Sequence, residues 1–330
     1  MTTSPPDCGS LLAPPTPGIE AADVARLVSS ERLWGIVALV AAGILLGLSP
    51  VLVRFSGISA DASAFWRVAM ALPLLSAVAI MVPTRAKPNE QPQVRRSNSR
   101  RAMWMLLAGG FFAADLIACH AAIELTTAGN AILLANLAPV IIGVLGLVGI
   151  ARRPGKLFWI GLPFAGLGAY FLFRGSEAGS GNVQGDALAL LAAAFYAGYL
   201  ISIGKLRRDL GAASTMAGST LVTAVLIGCY ALWQGTFELP GNWTGWGAII
   251  ALGIVVHATG QGLVSIGLKA IDEATGSMIL LIQPFIATLL GALLLGDVLN
   301  QWHMFGNIAV IAALVIATRS RRNQTISGKS

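Results

Sequence analysis

Apolar runs of roughly twenty residues, separated by short polar segments, form the dominant pattern along the chain after residue 32. The hydrocarbon core of a bilayer needs about 20 apolar residues per helix, which is the length of these runs. The pattern predicts an all-α integral membrane protein with ten transmembrane helices. The predicted spans are 33–53, 62–82, 102–124, 127–149, 157–173, 184–204, 213–234, 244–268, 275–295 and 301–318.

The composition agrees with a location in the membrane. Only 11% of the 330 residues are charged and 55% are apolar, and the mean hydropathy is +0.74. An average soluble domain has about 25% charged residues. So few charged side chains would not cover a water-facing surface, so the composition excludes an ordinary soluble domain.

The two ends of the chain differ from the apolar runs. The first 32 residues are rich in proline and small polar residues. A signal peptide needs early positive charge followed by an apolar core, but the first basic residue is Arg26 and no such core precedes it. We therefore predict a disordered cytoplasmic tail at 1–32 and a cytoplasmic C-terminal tail at 319–330.

The positions of lysine and arginine predict the orientation in the membrane. Short cytoplasmic loops carry an excess of these residues. With a cytoplasmic N-terminus, all of the 22 basic residues except Arg54, Arg67 and Arg174 fall in cytoplasmic loops and tails. We expect a multi-pass protein of the inner (cytoplasmic) membrane with both termini inside. The net charge of +7 then follows from topology, and nucleic acid is not an expected partner.

An internal repeat divides the chain into two halves. Residues 123–146 align without a gap with residues 268–291, so that Pro139 is equivalent to Pro284 at an offset of 145 residues. Each half has five predicted helices, and because five is odd the second half enters the membrane from the opposite side. Inverted repeats of this kind are typical of secondary transporters, whose substrate site lies near the bilayer midplane.

Three segments resemble the EamA family of the drug/metabolite transporter superfamily. They are "PVLVRFSGISADASAFWRVAMALPLL" at 50–75, "AAIELTTAGNAILLANLAPVIIGVLG" at 121–146, and residues 275–316. The resemblance implies ten helices in two EamA-like repeats, at 33–174 and 184–318, and transport of small metabolites, often amino acids or related compounds. In place of the family's usual Gly-Glu, the chain has Gly296-Asp297 in the second half and no acidic residue in the first.

Two polar residues interrupt the third predicted helix, in the segment "ADLIACH" at 114–120. Asp115 and His120 differ by about 140° around a helix, so they do not share a face. Ionisable groups at membrane depth are costly and are candidate functional residues. For Asp115 the alternatives are a structural hydrogen bond or ion pair between helices, and a proton or cation site. For His120 they are packing and a pathway role.

The second half has polar residues at similar depth. His257 and Gln261 are four residues apart on one face of the eighth predicted helix, and the repeat offset places them near Asp115. Asn136 and Gln283 precede the paired prolines, which free backbone carbonyls that a solute can use. The predicted pathway residues are Asp115, His120, Asn136, Tyr196, His257, Gln261 and Gln283.

Arg67 lies inside the second predicted helix, where an unpaired cation would be costly. Its long side chain can extend to the membrane surface, pair with Asp61, or attract an anionic group. The sequence leaves these alternatives open.

Enzyme signatures are missing from the sequence. It has no GxxxxGK[ST], HExxH or GxSxG motif, so catalytic residues, a metal site and a cofactor are not predicted. We expect a permease that works by alternating access on a small-molecule substrate, with a coupling proton or ion as a further partner. A flippase for lipid-linked substrates is the main alternative, and a membrane-embedded enzyme or sensor a weaker one. The sequence leaves homo-oligomerisation open.

Overall fold

The computed structural model describes residues 21–82, 98–126, 134–175, 182–296 and 299–319. Most of both predicted tails and Asp297 lie outside these residues. The described residues are helical throughout, apart from short connections. An all-helical membrane architecture, as predicted from the apolar runs, is therefore confirmed.

Ten helices make up the described part of the chain, and three of them have internal interruptions. They are α1 (Ala21–Gly47 and Ser49–Ser56), α2 (Ala60–Met81), α3 (Asn98–Leu125), α4 (Ala138–Leu147), α5 (Lys156–Gly175), α6 (Val183–Leu206), α7 (Ala212–Gln234), α8 (Trp243–Ala251, a π-helical segment Leu252–Gln261, and Gly262–Ala270), α9 (Glu273–Ile279 and Ile282–Leu295) and α10 (Gln301–Arg319).

Nine of these helices are long and apolar enough to cross a membrane, and α4 is a shorter apolar helix. The ends of the nine long helices agree closely with the predicted spans, although α1 extends further towards the N-terminus. The fourth predicted span, 127–149, begins outside the described residues, and its described part contains Ala138–Leu147.

The helix packing has the symmetry expected of an inverted repeat. Exchanging α1–α5 with α6–α10 converts each major contact into another that is also present. Thus α3 packs along α6 and α8 along α1, and α3 crosses α7 as α8 crosses α2. The pairs α2 with α7, α4 with α9, and α5 with α10 each map onto themselves.

Small residues at equivalent positions allow two of these close approaches. A Cβ added at Gly35 in α1 would lie 3.0 Å from Ala270 Cβ at the end of α8. A Cβ added at Gly185 in α6 would lie 2.7 Å from the backbone of Leu125 at the end of α3. Small residues let membrane helices pack closely without hydrophobic driving force, so the two repeats use the same device.

A buried ion pair joins the halves at the end of the bundle that holds the α4–α5 and α8–α9 connections, here called the Arg152 end. Arg152 Nε donates to both carboxylate oxygens of Glu273 at 3.0 Å. Its Nη2 also donates to the carbonyls of Leu268 and Ile271. Glu273 is 1% exposed, so the pair is largely shielded from water.

The opposite end of the bundle, here called the Asp61 end, is held by different contacts. Asp61 at the start of α2 lies 2.9 Å from His120 Nδ1 on α3. The Ser59 amide donates to the Glu238 carboxylate at 2.8 Å, and Trp66 Nε1 donates to the Glu238 carbonyl at 2.8 Å. The Asp61 contact lies within the first half, and the two bonds to Glu238 connect the first half to the α7–α8 connection of the second half.

Candidate functional site

The helical backbone is interrupted at nearly equivalent positions in the two halves, just ahead of α4 and within α9, close to the paired prolines. In α9 a turn at Leu280 and Leu281 separates the two helical segments, and Pro284 follows. In the first half a turn at Asn136 and Leu137 lies just ahead of α4, and Pro139, the equivalent of Pro284, follows. Proline lacks an N–H donor, so it interrupts the hydrogen-bond ladder of the helix. At Pro284 the carbonyl four residues earlier, that of Leu280, instead accepts from the Gln283 amide at 3.0 Å.

A cavity of about 210 Å³ lies where the two interruptions meet. Residues at both breaks line it, including Asn136 and Gln283, and Ser277 from the first segment of α9. Helix α3 contributes Asp115 and α6 contributes Tyr196. The volume is several times the roughly 30 Å³ that one water occupies in the liquid, so it can hold a small solute.

Four of the predicted pathway residues therefore border one cavity, although they come from three helices and the turn ahead of α4: Asp115, Tyr196, Gln283 and Asn136. Together they offer a carboxylate, two amides and a phenolic hydroxyl. Such a set can donate to and accept from a small polar solute, and the carboxylate can bind a cation or a proton. The apolar remainder of the lining leaves few other partners for a charged group.

His257 and Gln261 lie beside this cavity in a buried polar cluster and are not among its lining residues. His257 is 1% exposed, and its Nε2 lies 2.9 Å from Thr220 Oγ1 on α7. Tyr199 on α6 donates to Gln261 Oε1 at 3.1 Å. His257 and Gln261 both belong to the π-helical segment of α8. Segments of this kind are rare and are frequent at functional sites.

Phe112 connects the polar cluster to the cavity wall. Its ring lies 4.8 Å from that of Tyr199 and 5.4 Å from that of His257, between ring centroids. Tyr199 in turn stacks on Tyr196 at 6.0 Å. Phe112, Tyr199 and Tyr196 thus form a continuous series of ring contacts from α3 to the cavity wall.

His120 lies apart from the other predicted residues. It forms the contact with Asp61 described above, and both side chains are 18% exposed. The pair joins α2 to α3 within the first half. A pathway role for His120 thus stays a prediction, and in this conformation the side chain has a structural partner.

Three polar residues of this region were not among the predicted set. Ser277 lines the cavity, while Tyr199 and Thr220 hold the polar cluster together. Tyr199 follows Tyr196 by three residues on one helix face, and this spacing already makes it a candidate for the same wall of the pathway. Serine and threonine are common in membrane helices as packing residues, so nothing in the sequence distinguishes Ser277 or Thr220.

Within the described ranges, no group of three or more His, Cys, Asp or Glu side chains is placed to hold a metal ion. The acidic residue nearest to the cavity, Asp115, is the single carboxylate among the lining residues. The geometry therefore offers hydrogen bonds and one negative charge to a solute.

Comparison with protein families gives one match that occurs twice. The model of the EamA-like transporter family matches residues 33–174 and, again, residues 183–319. The two matches cover nearly all of the helical part of the chain and correspond to its two halves.

Individual relatives are distant. The chain is 26% identical over 222 residues to "Uncharacterized transporter YwfM" of Bacillus subtilis, covering 65% of this chain and 75% of that protein. It is 28% identical over 176 residues to "Threonine/homoserine exporter RhtA" of Escherichia coli, covering 53% of this chain and 58% of the exporter. The second alignment thus spans less than two thirds of the exporter.

A solved crystal structure shares the fold. It superimposes with a TM-score of 0.69 at 19% sequence identity and covers 88% of this chain and 96% of the solved chain. At this level of identity the likeness concerns the fold alone.

Proposed function

Because this chain belongs to the EamA-like transporter family, we propose that it is a secondary active transporter for a small metabolite, such as an amino acid or a related compound. In this proposal the substrate crosses the cytoplasmic membrane by alternating access, as the two halves rock around a central site. The protein is a multi-pass membrane protein and a transporter, not an enzyme.

The observation that carries the proposal is the polar cavity at the paired interruptions of α4 and α9. Discontinuous helices near the repeat interface commonly form the substrate sites of secondary transporters, because their free backbone groups can bind solutes. Here both breaks, Asp115 and Tyr196 meet at one cavity. The polar groups at this cavity come from both halves of the protein.

Two points support an amino acid or a similar compound as the substrate. One distant relative is named a threonine/homoserine exporter, and the cavity offers a carboxylate that suits an ammonium group. A lipid-linked substrate, the main alternative, would need a longer apolar groove that is open to the bilayer. The cavity volume of about 210 Å³ favours a small solute.

The orientation and the limits of the halves belong to the same proposal. Both termini are cytoplasmic, and the halves span 33–174 and 184–318, with the Arg152 end facing the cytoplasm. Reporter fusions after Pro240 and after Arg322 test this topology, and we expect them to report opposite sides of the membrane. Identical locations for the two fusions would contradict the ten-helix topology.

Transport by the purified protein in proteoliposomes tests the function directly. We expect uptake or exchange of at least one α-amino acid from a panel that includes L-threonine and L-homoserine, accelerated by an imposed pH gradient. Asp115→Asn keeps the side-chain volume but removes the charge, so it should abolish the effect of the pH gradient. A variant that transports with unchanged proton dependence would disprove the role of Asp115.

Asp186→Asn is the matched control for this experiment. Asp186 is a carboxylate in the first turn of α6, where it accepts a hydrogen bond from Thr126 at 2.6 Å, and it lies outside the cavity lining. We expect its transport and proton dependence to equal those of the unchanged protein. If no member of the panel is transported, the proposed substrate class is wrong.

A further inference from the structure

Arg67 is a positively charged residue inside the bundle that has no role in the site as described so far. It lies on α2, and its guanidinium carbon is 5.7 Å from the centroid of the Phe112 ring. Nη1 contacts Ser49 Oγ at 3.4 Å, which is long for a hydrogen bond. Nε is buried and has no hydrogen-bond partner among the described residues.

The two structural roles that the sequence allows for Arg67 do not account for this position. Asp61, the acidic residue six positions earlier on α2, contacts His120 instead. The guanidinium lies against Phe112, which is 3% exposed, so the side chain does not extend to the membrane surface. In the part of the chain that the structure describes, no carboxylate forms an ion pair with Arg67 within 4.0 Å.

A guanidinium in this setting lacks the partners that it needs. It has five N–H donors in a planar fork that matches a carboxylate. A charge inside the membrane is costly unless it is paired. Aromatic contact with Phe112 and one long hydrogen bond to Ser49 satisfy only part of this requirement. The position therefore favours an additional anionic partner.

Asp115 lies about one helical turn along α3 from Phe112, whose ring packs against the Arg67 guanidinium. Phe112 and Asp115 are three residues apart on α3, so they share a face. Asp115 and Tyr196 line the same cavity, and Arg67 lies against Phe112, which also contacts Tyr199 of α6. A cation and an anion thus act on the same region without forming a direct ion pair.

We propose that Arg67 binds the carboxylate of a zwitterionic amino acid while Asp115 binds its ammonium group. This inference rests on the proposed function and adds the charge pattern of the substrate. Arg67 is outside the cavity lining in this conformation. When the substrate binds, the long Arg67 side chain turns from Ser49 towards the cavity. There the substrate carboxylate accepts two parallel hydrogen bonds from the guanidinium N–H groups.

Analogues that lack one charged group test the proposal in proteoliposomes. The probes are L-threonine, 1-aminopropan-2-ol, which lacks the carboxylate, and 3-hydroxybutyrate, which lacks the ammonium group. We expect Arg67→Gln to raise the KM for L-threonine by about 10- to 100-fold, the loss expected for one charge-assisted interaction. The two analogues are tested as inhibitors of L-threonine transport. In Arg67→Gln, inhibition by 1-aminopropan-2-ol should not change, and inhibition by 3-hydroxybutyrate should be lost.

Asp115→Asn should give the opposite pattern. Inhibition by 1-aminopropan-2-ol should be lost, and inhibition by 3-hydroxybutyrate retained. Arg174→Gln is the matched arginine control. Arg174 packs over the Trp302 ring at 5.2 Å, away from the cavity, so we expect all three probes to behave as with the unchanged protein.

The outcomes separate this inference from the proposed function. If the unchanged protein transports no amino acid of the panel, both proposals fail. If it transports L-threonine but Arg67→Gln weakens all three probes equally, Arg67 has only a structural role and the inference alone fails. If Arg67→Gln does not fold, Arg67→Lys replaces it. Lysine keeps the charge but loses the bidentate fork, so a selective loss of the two carboxylate probes supports the inference and an equal loss overturns it.

Discussion

Two adjacent glycines on α3 have opposite surroundings. A Cβ added at Gly109 would lie 2.5 Å from Val222 Cβ and 2.6 Å from the Ser219 carbonyl, on the neighbouring α7. A Cβ added at Gly110 would meet no atom within 4 Å. The α3–α7 approach therefore depends on Gly109, and Gly110 has no such constraint.

This difference predicts the effect of two alanine substitutions. Gly109→Ala should lower stability by about 1–3 kcal/mol through overpacking. Gly110→Ala should leave it unchanged or raise it by up to about 1 kcal/mol, since alanine is the better helix former. Thermal unfolding of the detergent-purified variants measures both. Equal melting temperatures for the two variants would contradict the close α3–α7 contact.

Asp272 is the N-cap of α9 and lies between the membrane-spanning segments. Its carboxylate accepts the Thr275 amide at 2.8 Å, but burial raises its pKa above the ordinary value even though that hydrogen bond acts to lower it. The folded state therefore binds a proton more tightly than the unfolded state. On this account the contribution of Asp272 to stability is largest below its ordinary pKa and decreases as the pH rises through the raised pKa.

Substitutions of Asp272 separate the cap from the charge. At neutral pH Asp272→Asn should be at least as stable as the unchanged protein, because asparagine caps equally well without a buried charge. Asp272→Ala should lose about 1 kcal/mol of stability. Melting temperatures at neutral pH give the comparison, and a similar loss in both variants would show that the charge itself is stabilising.

At the scale of elements, the paired interruptions distinguish α4 and α9 from the other helices. Pro73 in α2 and Pro163 in α5 lie inside helices that continue past them. Pro139 and Pro284 instead follow turns whose residues line the cavity. Proline alone therefore does not produce a break. The breaks near Pro139 and Pro284 share a different feature, which is that each faces the break of the other half across the cavity.

Replacing Pro284 tests whether the break serves transport. Alanine restores an N–H donor, so we expect Pro284→Ala to make α9 more continuous and to shift the residues of the break that line the cavity. Transport should fall by up to about tenfold, the loss expected when one hydrogen bond to the substrate is misplaced, without loss of stability. Pro163→Ala is the control and should leave transport unchanged. Equal transport by both variants would contradict a role for the break.

At the scale of the whole molecule, the Arg152–Glu273 ion pair joins the two halves across 121 residues of sequence. Glu273 is almost fully buried, whereas the Arg152 side chain is 19% exposed and also donates to two carbonyls. Removing the arginine therefore leaves a buried, unpaired carboxylate. Removing the carboxylate leaves a cation that keeps other partners.

The predicted order of stability follows from this asymmetry. Arg152→Gln should cost about 3–5 kcal/mol, the range for a broken buried pair, and Glu273→Gln should cost less. The double variant should cost less than the sum of the two, because no unpaired charge remains. Arg153→Gln, at the exposed neighbouring position, is the control. Additive effects in the unfolding of these variants would show that the two residues do not interact.

The sequence by itself determined the class of the protein and the limits of its nine long helices. Hydrophobic length and repeat offset are properties of the chain alone, so the ends of these helices and the equivalence of Pro139 with Pro284 were accessible. Equivalent positions in the repeat did not imply a common environment. The repeat offset places Asp115 beside His257 and Gln261, yet only Asp115 lines the cavity.

Only the tertiary structure decided which polar groups face each other. Helical periodicity fixes the angle between two residues of one helix, but it does not say which neighbouring helix each of them faces. The packing of α6, α7 and α8 placed His257 against Thr220, and that of α2 and α3 placed His120 against Asp61. It also left Arg67 beside Phe112 without an acidic partner among the described residues. Such pairings depend on contacts between distant parts of the chain, which local patterns do not encode.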